Sequence, residues 1–225
     1  MTPQEVYREI ERDKSSMAYW RLGTFKSLEK RARQMMKFPQ TVWYDHETKR
    51  HNRYLFMSII FDRNFHKNGI SIGVALQKME RGWAVYYFGW QWQVKFNKLA
   101  LLPHVFDRYA DPERGNVQKT GIDLIKHFIS RNTDGVAING DKFSGRSVRY
   151  KGRDNLCLSM HDGVLLGEKV GDIFVAHTFI TYDMATGLQS ETFEKKRGTL
   201  RPQKVQSREK MPVKDDVLDA YYENK

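Results

Sequence analysis

The hydrophobic period of this chain changes three times, and each change falls close to a turn or proline signal. Apolar residues first recur at spacings of three and four. They give way to β-branched and aromatic runs from Tyr54, return to helical spacing at Pro103, and alternate again from Ser147. Blocks of helix and blocks of strand kept apart in this way specify an α+β fold, because a βαβ architecture would interleave them. The 225 residues are 40% hydrophobic and 13% aromatic, enough to build a sizeable core, which excludes a chain disordered as a whole.

N-terminal helices come first. Thr2-Pro3-Gln4-Glu5 pairs a capping residue with proline at the first helical position and a carboxylate three residues after the cap. A second helix is expected from Thr24 to about Phe38, stopped by Pro39, with Phe25, Leu28, Ala32, Met35 and Met36 on one side. Lys26, Lys30, Arg33 and Lys37 fall largely on the other. An antiparallel strand group follows at 54–62, 70–79 and 83–96, with Glu80-Arg81-Gly82 as a hairpin turn and Trp90, Trp92, Val94 and Phe96 on one face. Two central helices, 103–109 and 120–131, lead to a C-terminal antiparallel four-stranded meander at 147–151, 155–161, 164–169 and 173–181. Asp162-Gly163 and Gly171-Asp172 mark its turns. Residues 1–190 read as a single α+β domain, with 98–103 as the place for any subdivision. Whether the two strand groups share one sheet stays open.

Residues 191–225 read as a basic tail, extended or disordered, with a short helix near Asp216 to Glu223. Positions 195–225 alone hold nine Lys or Arg, five Asp or Glu and two prolines. The charged N-terminus has no apolar h-region, and no apolar stretch approaches the ~20 residues of a membrane span, so a cytoplasmic location with no membrane contact is expected. Lys and Arg number 38 against 27 Asp and Glu, a net +11 with pI near 9.6. A polyanion is the partner class that such a charge attracts. The lone Cys157 lies in an alternating apolar run and reads as a buried, inert thiol.

The segment His104-Val-Phe-Asp107-Arg108-Tyr109 carries the most chemistry. Residues three and four apart are neighbours on a helix, so an imidazole, a carboxylate and a guanidinium share one face. Imidazole transfers protons near neutral pH, and guanidinium holds phosphate in bidentate fashion. Arg146, Arg149, Lys151 and Arg153 form a basic strand edge, which reads equally as a phosphate contact or as charge protecting an edge.

A helix with His-x3-Arg, then a second helix, then a meander whose last strand bears a hydroxyl resembles ribonuclease toxins of the RelE and colicin type. It is similar also to gut Bacteroidetes proteins with an H-x3-R-Y pattern. The likeness covers about residues 100–182. His104 and Arg108 match the His and first Arg, and Thr178 matches the last-strand hydroxyl. The second Arg falls late, at Arg114, after Tyr109-Ala-Asp-Pro-Glu. The resemblance implies metal-independent cleavage of RNA, with His104 transferring the proton, Arg108 and Arg149 on the phosphate, and Thr178 or His177 across the cleft. Arg146, Lys151 and Arg153 would then hold further phosphates.

Other chemistries find less in the sequence. His104, Asp107, His127, His161, Asp162, His177 and Asp183 include no pair at a spacing diagnostic of a metal, and no metal or cofactor is expected. Gly-x-Ser-x-Gly and Walker-type loops are absent. The competing reading is a binder without catalysis: Trp43, Tyr44, Tyr86 and Tyr87 amid Arg50, Arg53, Lys78 and Arg81, rings to stack bases and cations to track a backbone. RNA is favoured over DNA as the polyanion in either case, with a protein partner for the basic tail as a further expectation.

Overall fold

The computed structural model describes residues 1–64, 69–88, 98–111, 117–139, 155–185, 188–198 and 200. It opens with α1 (Pro3–Gln34), 32 residues long. The Glu5 amide donates to Thr2 Oγ1 and the Thr2 amide to the Glu5 carboxylate, the expected capping box. The separate second helix expected from Thr24 does not form. Val6, Tyr7, Ile10 and Met17 fall in phase with Leu28, Ala32 and Met35, and all seven are buried. One uninterrupted apolar stripe makes one helix.

Nine strands form a single sheet: β1 (Gln40–Glu47), β2 (Arg53–Ile60), β3 (Ile70–Met79), β4 (Gly82–Phe88), β5 (Lys98–Leu101), β6 (Gly135–Asn139), β7 (Asn155–Met160), β8 (Val164–Val170) and β9 (Ile173–Ile180). Their order is β1-β2-β3-β4-β5-β9-β8-β7-β6. Two antiparallel meanders, β1–β5 and β6–β9, are joined by the parallel pair β5–β9, Leu99 opposite Phe174 and Ala100 opposite Val175. The fold class is therefore α+β, as the segregated periods imply. The hairpins at Glu80-Arg81 and Asp162-Gly163 stand where the turn residues put them. The alternation at 90–96 and the strand at 147–151 lie outside the described residues. Sequence patterning misses β1 because its outer positions alternate between polar and aromatic, and β5 and β6 because four or five residues carry too little period.

Each face of the sheet has its own cover. On one, α2 (Pro103–Ala110) and α3 (Gly121–Arg131) bury Val105, Phe106, Tyr109, Leu124, Ile125, Phe128 and Ile129 against Leu55, Met57, Val74, Val85, Leu158, Leu165 and Phe179. Phe128 meets Phe106, Tyr109 and Phe179 edge-on, centroids 5.6, 4.9 and 5.9 Å apart, an arrangement aromatic quadrupoles favour. On the other face, the first half of α1 covers the middle strands and its second half covers β1 and β2. Buried Asp13 fastens α1 to the β1–β2 turn: its Oδ2 accepts from Thr48 Oγ1, Asn52 Nδ2 and the Tyr54 hydroxyl at 3.1, 2.8 and 2.8 Å.

A further helix, α4 (Leu188–Arg197), occupies the start of the stretch read as a tail. Its Phe193 is fully buried with Ile138, Cys157, Val164 and Tyr182, an anchor strong enough to order a helix with little amphipathic pattern. Residues 201–225 lie outside the described residues. Cys157 is buried, and burial pushes its thiol up to about 12. Among the described residues no helix is long and apolar enough to cross a membrane.

Candidate functional site

The β7–β8 turn borders a polar concavity. Gly163 lets the turn press against β9, since a Cβ there would lie 2.3 Å from the Ile180 carbonyl oxygen. Beside it, Asp162 ties three elements together. Its carboxylate accepts from the Tyr109 hydroxyl of α2 at 2.7 Å, and from Arg131 Nε and Nη2 at the end of α3 at 2.8 and 2.7 Å. Asn132, just past α3, completes the junction by accepting from the Asp162 amide and donating to its carboxylate. Burial alone would raise the Asp162 pKa. Hydrogen bonds from Arg131 and Tyr109, with the Arg131 charge, outweigh it and hold the carboxyl below the usual range.

A second guanidinium lines the same concavity. Arg197, at the end of α4, lies 4.7 Å from the centroid of the Tyr182 ring, a cation–π contact. That ring is itself fixed, because the Tyr182 hydroxyl donates to the Met160 carbonyl and bonds Ser159 Oγ at 2.8 Å. Arg131 and Arg197, with His161, Asp162, Thr181, Tyr182 and Asp183, line an open cleft of about 440 Å³. His161 Nε2 is buried with no hydrogen-bond partner among the described residues, a polar atom that costs about 1–3 kcal/mol to leave unpaired. Burial lowers the His161 pKa against the opposing charges of Asp134 and Asp162, and Arg131 and Arg197 add smaller effects in the direction of burial. The shift favours the neutral imidazole. Two guanidinium groups held in place around a neutral imidazole suit an oxyanion: the cations bind it without reorganising, and the ring exchanges a proton.

A groove of about 500 Å³ runs beside the same helix, α3. Trp43, Gln118, Lys119, Thr120, Asp123, Lys126, His127 and Ser130 line it. Trp43 stands opposite Met57 on the sheet face that α3 covers, half-buried at the rim. Lys119 Nζ lies 3.4 Å from His127 Nδ1, and burial, Lys119 and Arg131 lower the His127 pKa. The His127 and Tyr109 rings are 6.1 Å apart. Tyr109 reaches Asp162, so the groove and the cleft are neighbours along α3.

The structure brings His104, Asp107 and Arg108 together on the outer side of α2. Arg108 Nε donates to His104 Nε2 at 3.2 Å, and His104 Nδ1 is 3.9 Å from Asp107. With 54% of its side chain exposed, His104 lines neither the cleft nor the groove. Thr178 is not beside it. A bulge between Leu166 and Gly167 sets Thr178 opposite Leu166, on the face that α4 covers, while Phe179 takes the α2 face. The sheet therefore separates Thr178 from His104. His177, the bulged residue, bonds Glu168 at 3.0 Å. Arg146, Arg149, Lys151 and Arg153 lie outside the described residues.

Of the rings considered for binding, Tyr86 and Tyr87 are core, at 1% and 2% exposure, and only Trp43 and Tyr44 stay half-open. Sequence reasoning passed over Arg131 and Arg197, considered His161 and Asp183 only as metal ligands, and read Asp162 as a turn residue or a metal ligand. Among the described residues no three His, Cys, Asp or Glu gather closely enough to hold a metal ion. The available signal was Asp162 at a hairpin tip, where a turn carboxylate is free to meet the end of a preceding helix. Compared with protein-family models, with curated proteins and with solved structures, the chain matches none.

Proposed function

We propose that the protein binds RNA and seats a backbone phosphate between Arg131 and Arg197. The observation that carries this reading is the pair of fixed guanidinium groups flanking neutral His161 in an open cleft. The chain's +11 supports it, since phosphate contacts dominate the affinity of nucleic-acid binders. An RNA-bearing compartment, the cytoplasm, is the setting this reading implies.

One feature favours cleavage as a second reading. A neutral imidazole can act as a base and positioned cations stabilise developing negative charge, two functions that metal-independent scission of RNA needs. The base takes the 2′-hydroxyl proton, O2′ attacks phosphorus, the P–O5′ bond breaks, and a proton returns to O5′. In that reading His161 does the work that the toxin resemblance assigns to His104, and Arg131 and Arg197 do that of Arg108 and Arg149.

Incubating an end-labelled RNA of about 30 nucleotides with the pure protein in EDTA tests both. Retarded, intact RNA supports binding alone. Fragments ending in 2′,3′-cyclic phosphate support cleavage, provided that His161→Gln abolishes them while His104→Ala does not. RNA that is neither retarded nor cut at low salt defeats the proposal.

A further inference from the structure

We infer that the RNA is single-stranded, and that it runs along α3 from the Arg131–Arg197 seat to the groove, where one of its bases stacks on Trp43. This rests on the RNA reading above and specifies the strand that the site accepts.

Trp43 is placed for stacking by its register. Opposite Met57, it is partly buried against the core and also lines the groove. An indole partly supported by the core and open to the groove is a rigid stacking surface. Bases with a free π-face stack on such platforms whatever their identity, whereas duplex bases already stack on one another.

Cations follow the same path. Lys119 and Lys126 border the groove, and neither has a carboxylate partner among the described residues. Lys126 acts on the charge of Asp45, which Arg53 already holds through Nε and Nη2. His127 adds a neutral ring with hydrogen-bonding nitrogens. Asp123 opposes: among the described residues it is the one acidic group in the groove lining.

Length agrees with the chemistry. The 11 residues of α3 extend about 16 Å at 1.5 Å each. A stretched single strand covers that with roughly three nucleotides, which puts phosphates at both helix ends and a base at Trp43.

Fluorescence anisotropy with a labelled U12 RNA, an abasic strand of equal length and a 12-base-pair RNA duplex tests the inference. Wild-type protein is expected to bind U12 about tenfold more tightly than the abasic strand, and more tightly than the duplex. Trp43→Ala should bind U12 only as well as the abasic strand. Trp43→Phe, which keeps a ring and the packing, should retain most of the preference, and Asp123→Asn should tighten both single strands. Thermal melts confirm that each variant folds. Equal binding of U12 and the abasic strand by wild type, or undiminished U12 binding by folded Trp43→Ala, overturns this inference while leaving the phosphate seat standing. No binding of any of the three RNAs overturns the RNA reading and this inference together.

Discussion

Asp162 shows how one carboxylate organises chemistry around itself. It is mostly buried, yet it stays charged because Arg131 grips both oxygens and Tyr109 donates to one. Arg131 is thereby fixed with half of its side chain still exposed, available to a ligand. His161, the adjacent residue, is affected by the same packing in the opposite sense. Burial depresses its pKa, so the unfolded chain, with an ordinary value near ~6.5, takes up a proton first as the pH falls. The stability that a neutral His161 contributes is complete above about pH 6.5 and is lost as the pH drops from there through the folded-state value. His127 is depressed too and adds in the same direction. Urea melts from pH 7.5 down to 5 should therefore show declining stability, and His161→Gln should flatten part of that decline. A variant whose pH dependence equals that of wild type would mean that the ring titrates as in the unfolded chain. A phosphate bound beside it would favour imidazolium, so on the proposed reading affinity for RNA is expected to rise over the same interval.

Elements explain what patterning reads and what it misses. The amphipathic stripes of α2 and α3 are plain in the sequence because burial acts on one face at a fixed period, and Asp162-Gly163 announces its hairpin by turn chemistry. The helix register of His104 and Arg108 was legible for the same reason. Its relation to Thr178 was not, since a bulge shifts the face of every later residue on β9. That bulge depends on Gly167, where a Cβ would sit 2.0 Å from the Val175 carbonyl oxygen and 2.8 Å from Ala176 Cα. Backbone cannot give way as a side chain does. Gly167→Ala should cost about 2–4 kcal/mol, a fall in Tm of roughly 5–15 °C. A melt within 2 °C of wild type would show that β8 and β9 can pair without the close approach. The parallel β5–β9 seam was likewise hidden, because nothing local tells which distant strands will meet.

At the scale of the whole molecule, charge is unevenly spread. The second half of α1 and its exit, residues 21–37, hold six Lys or Arg against one Glu, a net +5. Lys26, Lys30 and Arg33 lie opposite the buried stripe of Leu28, Ala32 and Met35. Such a surface attracts a polyanion from a distance without fixing where it settles. The cleft differs in kind, because Arg131 and Arg197 are each held by a partner that is itself held. The cleft is assembled from the ends of α3 and α4 and the β7–β8 turn, and it holds two positioned cations that the outer side of α2 around His104 does not. No short motif spans those elements, which is why the sequence points to a polyanion and not to this seat.

The affinity of the full chain for U12 RNA as a function of salt, wild type against Arg197→Ala, tests the phosphate seat most directly. Tyr182 and Phe193 remain to hold the local packing, so the variant is expected to fold. Removing one phosphate contact should weaken binding several-fold at low salt and reduce the slope of log affinity against log salt by about 0.7. An unchanged affinity and an unchanged slope would contradict the account, and would move the phosphate contacts to the basic face of α1.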